Sequence, residues 1–428
     1  MECLVSPSLS PARPAPLVLY LSMVAVGMGQ TVVFAILPML GRELGLQELV
    51  LPLPGGGGWQ PRELAITAMS ALTALTFSLV APFWGRRADQ WGRRRIMMLG
   101  MVGYSVGTLL FNGVAWLGLA GLLGGGLLYG LLVLMRVVHA SVMSATHPAA
   151  SAYMVDITSV AQRTRGMGKL AAANQIGVML GPALAWFAFI SLLAPLYIQA
   201  AMTLLVGLVI VWLLPESRSQ QGQQEPGARL SYLDPRFRHF LFIGLLLYTM
   251  MGMAQQTLGF YFQDRLGLDR VAAAQRLSLA MMVSSAAMLL SQLGVVQRLG
   301  WGPISLLRAG VPLTMVGYGL MAAAATEQQL WLAMALFGLG MGMSAPGFAA
   351  SSTLTVQTSE QGALAGLTGA VAGFGFLLGP LLGGYVYRFD PSFPYWLAAV
   401  LMLPLAIALW WLKPLVVSAD SPAEQRRR

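Results

Sequence analysis

Cysteine is almost absent: one in 428 residues, Cys3, near the amino terminus. An internal disulfide, a thiolate metal site and a buried cysteine nucleophile are therefore excluded. Charge is scarce as well. Asp, Glu, Lys and Arg make up 10% of the chain against 57% hydrophobic residues, where an ordinary soluble domain carries about 25% charge. With a mean hydropathy of +0.68, this composition excludes a soluble globular domain and leaves an integral membrane protein. No Walker loop is present, so a transport function would draw on an ion gradient. The GxG stretches, such as Gly338 to Gly342, follow no strand and carry no nucleotide fingerprint. Neither a metal-ligand cluster nor a catalytic triad can be assembled, so no metal, no cofactor and no enzyme active site are expected.

What is present is a succession of apolar windows, each of about twenty residues and long enough to cross a bilayer. They fall near 17–40, 64–84, 96–117, 127–153, 167–190, 193–214, 239–262, 272–296, 303–324, 329–352, 362–387 and 393–413. The first run, Leu17 to Leu40, lacks a basic leading region and a small-residue cleavage site, and is too long for a signal-peptide core; it reads as a retained span. The expected fold class is an all-α integral membrane protein of twelve transmembrane helices. The basic residues collect in alternate loops, including Arg163, Arg165, Lys169, Arg218, Arg229, Arg236, Arg238, Arg298 and Arg308. Positive residues near span ends resist translocation, which places those loops and both termini in the cytoplasm of a cell with this protein in its inner membrane. The net charge of +10 thus reports topology and an anionic lipid partner, not nucleic acid.

The one long polar stretch, Pro215 to Arg236, lies mid-chain and reads as a flexible linker. The expected organisation is a cytoplasmic tail at 1–16, a six-helix lobe at 17–214, a linker at 215–237, a second six-helix lobe at 238–413 and a basic tail at 414–428. Internal repetition supports the division. A shift of 198 positions lays Gly168, Ala172, Gly177, Leu180, Gly181, Pro182 and Leu184 on Gly366, Ala370, Gly375, Leu378, Gly379, Pro380 and Leu382, and Pro148 on Pro346. Such repeats are characteristic of secondary transporters.

The loop from Trp84 to Arg95, WGRRADQWGRRR, holds five arginines against the single acid Asp89. It resembles the motif after the second helix of the major facilitator superfamily, roughly GxLADRxGRR, through Gly85, Ala88, Asp89, Gly92, Arg93 and Arg94. Arg87 replaces the usual leucine and Gln90 the usual basic residue. The resemblance implies two pseudo-symmetric six-helix bundles that alternate access to a midplane cavity. It also implies that Asp89 serves as a conformational latch, with Asp156, Arg163 and Arg165 as candidate partners. In the second half the corresponding loop, Gln297 to Gly300, has glutamine in place of Asp89.

Gly177 to Pro182 form GxxxGP, which provides a flat packing face followed by a helix-bending proline. In the superfamily this is similar to the fifth-helix signature of drug:proton antiporters that export, carried here by Gly177, Gly181 and Pro182. Ala185 and Trp186 stand in place of the trailing glycines, which the second half keeps as Gly383 and Gly384.

Span four concentrates the ionisable groups. On a continuous helix Arg136, His139 and His147 fall within roughly an 80° sector. An arginine at bilayer centre costs about 2.5–3.5 kcal/mol and calls for a cavity or a partner. Either histidine alone reads equally as a polar group satisfied by a neighbouring helix. At the 198-residue shift, however, Met334, Phe337 and Ala345 stand opposite the three, so the repeated scaffold does not need them to pack. No acid lies inside a span. A cavity with one fixed positive charge, two imidazoles and the amides of Gln30, Gln255 and Gln256 suits an anionic or polyhydroxylated solute.

The expected function is a monomeric secondary transporter exporting a small organic molecule from a bacterial cytoplasm in exchange for protons. His139 or His147 is the candidate proton carrier, and a carboxylate siderophore is the favoured solute. A multidrug exporter and an importer are the alternatives.

Overall fold

In the computed structural model, residues 15–52, 57–217, 230–357 and 360–411 are described, apart from the side chains of 52, 160, 161, 163, 164 and 362. Cys3, most of both tails and residues 218–229 of the linker lie outside them. Thirteen α-helices follow in order: α1 (Ala15–Glu43), α2 (Glu63–Trp91), α3 (Arg93–Leu119), α4 (Gly125–Met143), α5 (Thr146–Ile157), α6 (Val160–Leu184), α7 (Ala194–Leu213), α8 (Arg238–Leu266), α9 (Arg270–Ser291), α10 (Pro303–Ala323), α11 (Glu327–Thr353), α12 (Gln361–Tyr387) and α13 (Phe393–Trp411). Helices α4 and α5 form one crossing, Gly125–Ile157, so the spans number twelve, as expected. Helices suit this role because each satisfies its own backbone hydrogen bonds in hydrocarbon. The loop after α1 adds a short antiparallel ribbon, Leu51–Pro52 against Gly58–Trp59.

Span four departs from the single rod expected at 127–153. It is interrupted at Ser144 and Ala145, because Pro148 offers no N–H to the Ser144 carbonyl and its ring crowds that group. The Ala145 N–H turns back to Val142 O at 3.1 Å, and the Ser141 carbonyl accepts instead from Trp84 Nε1 at 2.6 Å and Ser144 Oγ at 2.9 Å.

Two compact units emerge. The first holds Met1–Gln223 together with Met251–Met282 and Phe376–Pro394, so portions of α8, α9 and α12 pack with the first six spans. Close helix contact within it rests on small residues. A side chain at Gly177 would strike the Val24 backbone of α1, and one at Gly181 the Met28 carbonyl; Gly27 of α1 lies equally tight against Asn174 and Val178. On α3, Gly100, Gly103 and Gly107 lie against Thr146, Val142 and His139. A core of Met23, Val26, Met97, Met101, Ala149, Tyr153 and Ile210 fills the space between these helices.

The second unit holds Gln224–Met250, Val283–Gly375 and Tyr395–Arg428. It repeats the same devices: Gly310 lies against Ser344, Gly317 against Phe337 and Gly375 against Tyr248 and Thr249. Ser344 and Phe337 stand 198 positions after Thr146 and His139. The repetition seen in sequence is therefore also a repetition of helix contacts.

Candidate functional site

Arg136 and His139 come together as expected, on the buried face of α4. Both border a cavity of about 20 Å³ among α1, α3, α4 and α7, whose polar lining also includes Tyr104, Thr108 and Gln199. The glycine ladder of α3 creates this arrangement, since Gly107 lets the His139 backbone approach where any Cβ would stand 2.9 Å away. The imidazole is packed on every side: Tyr104 meets it edge-on at 4.6 Å between ring centres, Thr108 Oγ1 lies 3.4 Å from Nδ1 and Met143 Sδ 3.1 Å from Nε2.

His147 does not join them. It lies beyond the interruption at Ser144 and is exposed on α5. The amides divide too. Gln30 and Gln255 are half-buried, whereas Gln256 is buried with neither amide atom partnered; none of the three lines the Arg136 cavity.

The loop residues cohere around Arg93 rather than Asp89. Arg93 Nη1 pairs with Asp89 one turn away, and Nε pairs with Asp156 at 3.2 Å, which also accepts from Ser217 Oγ at 2.8 Å. Asp156 is thus a member of the cluster but reaches Asp89 only through Arg93. Arg94 donates to the Val211 carbonyl, and its backbone N–H to Glu216 at 3.1 Å. Gly92 turns the chain between α2 and α3 at φ 97°, a left-handed conformation that favours glycine. Gly85 faces Pro148 across an ordinary contact. Arg165 is exposed, and the Arg163 side chain lies outside the described residues.

A second charged cluster went unnoticed in sequence. Arg42, in the last turn of α1, binds Asp264 of α8 through two parallel bonds of 2.5 and 2.7 Å, reaches Glu63 of α2 at 3.4 Å and Gln263 at 3.0 Å, and stacks over Phe260 at 4.8 Å. Tyr387 of α12 donates to the same Asp264 carboxylate at 2.6 Å, and Arg270 pairs with Glu43 alongside. Bidentate pairing of this kind is among the strongest side-chain contacts. Its partners lie more than 200 residues apart, so no local pattern could reveal them; the only signal was an isolated charge at each of several span ends. In the second unit, Arg236 binds Asp234 at 2.8 Å and Glu360 at 2.9 Å. Hydrogen bonds from Arg236 hold both carboxyls below their ordinary range.

With these features in place, comparison with known proteins is decisive. The profile of the Major Facilitator Superfamily matches residues 19–325 and 296–428. The chain belongs to that superfamily. Among curated proteins it is similar to Multidrug resistance protein 1 of Bacillus subtilis, 23% identical over 364 residues, covering 83% of this chain and 90% of that protein. It is also similar to the class B Tetracycline resistance protein of Escherichia coli, 25% identical over 349 residues, covering 78% and 82%. Of solved structures, the nucleoside transporter NupG superimposes with a TM-score of 0.69 at 15% identity over 92% of this chain and 98% of that one. A bacterial homolog of the human lysosomal transporter Spinster, inward-facing and occupied, gives 0.68 at 15% identity over 95% and 97%. These two likenesses establish the fold. As a superfamily member the chain is a multi-pass membrane transporter of small molecules.

Proposed function

We propose that this transporter exports small, drug-like organic molecules across a bacterial inner membrane in exchange for protons, acting as a monomer with both termini in the cytoplasm. The match along about four-fifths of the chain to relatives named for multidrug and tetracycline resistance carries the solute class. The GxxxGP packing of Gly177, Gly181 and Pro182 against α1 is in keeping with the exporter branch that the sequence resembles.

Alternating access needs contacts that form at one end of the helices and release at the other. The Arg42–Asp264 cluster ties α1 and α2 to α8 and α12, while Asp89, Arg93 and Asp156 bond among residues of the first half.

For the solute, the exposed His147 and the half-buried Gln30 and Gln255 supply the accessible polar groups, and His147, rather than the packed His139, is the candidate proton carrier. Arg136 borders a cavity of about 20 Å³, the size of a water molecule. Because His147 stands apart from Arg136 and His139, the drug-like solute class is preferred here to a carboxylate siderophore.

The test is transport into proteoliposomes under an imposed proton gradient. Ethidium or tetracycline should accumulate, collapse of the gradient should abolish accumulation, and His147→Ala should reduce the dependence on the gradient. Flux of every compound indifferent to the gradient would overturn proton exchange, and transport confined to organic anions would overturn the solute class.

A further inference from the structure

Arg136 is 7% exposed, and its Nε has no hydrogen-bond partner. No ion pair or hydrogen bond involves its guanidinium among the described residues; the Phe111 ring lies beneath it at 5.7 Å. A buried charge ordinarily escapes its desolvation penalty by losing or gaining a proton. Arginine cannot do so, because its guanidinium stays protonated in proteins. Among the described residues no acidic side chain meets this charge.

The cavity beside it has the dimensions and lining for an anion. About 20 Å³ accommodates a single particle on the scale of a water molecule or a halide. Val32, Val33, Leu37, Leu40 and Leu196 form apolar walls. Donors are available on the polar side. The Tyr104 hydroxyl borders the cavity, and the Gln199 amide, 1% exposed, gives one hydrogen to Ala25 O at 2.9 Å and keeps a second. The Thr108 hydroxyl is spent on the Tyr104 carbonyl at 2.9 Å, and the His139 nitrogens face Thr108 and Met143. Gln199 Oε1 is also unpartnered. The equivalent positions of the other repeat hold Met334 and Phe337, both buried, so helix packing itself does not call for a cation here.

We propose that this chamber binds one small monovalent inorganic anion of the chloride class as counter-ion to Arg136. The site lies wholly inside the first helix bundle and is independent of which solute is exported.

The experiment uses the purified full-length protein, with gluconate exchanged for chloride at constant ionic strength. The thermal unfolding midpoint should rise saturably, on the order of 3 °C at chloride well above its dissociation constant. Bromide and nitrate should reproduce the rise, and sulfate should not. Arg136→Met, which imports the residue of the other repeat, should abolish it, whereas Arg298→Gln, which removes a charge elsewhere, should preserve it. In crystals grown with bromide, an anomalous peak beside Arg136 in the unsubstituted protein is expected whether or not the variant folds. No saturable halide effect, retention of the effect in Arg136→Met, or water in place of bromide beside Arg136 would each overturn the proposal.

Discussion

The helix pair α3 and α4–α5 and the pair α10 and α11 are built alike and filled differently. In each, two glycines of the first helix receive the second at matched positions: Gly100 and Gly107 against Thr146 and His139, Gly310 and Gly317 against Ser344 and Phe337. An aromatic ring completes both contacts, Tyr104 beside His139 at 4.6 Å and Tyr318 beside Phe337 at 5.3 Å. Yet the first pair encloses an arginine where the second encloses Met334. Close approach of the helices is thus the property of the glycines, and the charged interior is an addition made in one half only. Groups that one copy of a scaffold carries and the other does without belong to function more than to folding.

Exchanging residues between the repeats tests this contrast. The largest effect should come from Met334→Arg, which buries in the second pair a guanidinium with no chamber built for it; a loss of about 2.5–3.5 kcal/mol is expected, measured by unfolding in mixed micelles. Unchanged stability would mean that the second pair tolerates charge as the first does. Next come Gly107→Leu and Gly317→Leu, each expected to cost about 1–3 kcal/mol through overpacking, and by similar amounts in parallel unfolding measurements. A marked inequality would show that the two contacts are not equivalent. Smallest in stability is Asp89→Gln, which gives the first half the glutamine found at Gln297. The Asp89 side chain is 58% exposed, so less than about 1 kcal/mol is at stake. Transport in proteoliposomes should nevertheless fall several-fold, because a latch acts on the exchange between states; full transport by the variant would reduce the loop arginines to topological anchors.

Much of this was legible in the chain. Twelve spans follow from the length and polarity of the apolar windows, since hydrocarbon tolerates little else. The repeat at a shift of 198 pointed to Phe337 and Met334 as the counterparts of His139 and Arg136, and the helix contacts agree. Asp156, expected as a partner of Asp89, lies in the loop cluster with Arg93 between the two. Errors arose where a short-range rule met a local interruption or a long-range contact. His147 was grouped by helical phase with Arg136 and His139, yet it lies beyond the interruption made by Pro148 and is exposed. Arg42 drew no notice, because its partners Asp264 and Tyr387 come from helices that the chain reaches only much later.

The amino-acid sequence alone decided that this protein is a helical membrane protein with a duplicated plan, because burial in lipid constrains every span in the same way and leaves its mark residue by residue. Only the folded structure decided which polar groups meet: that Arg136 and His139 border one cavity, that His147 does not, and that Arg42 joins α1 to α8. Those outcomes depend on helix phase and on contacts between distant segments, and side-chain chemistry acts over a few ångströms of space whatever the separation along the chain.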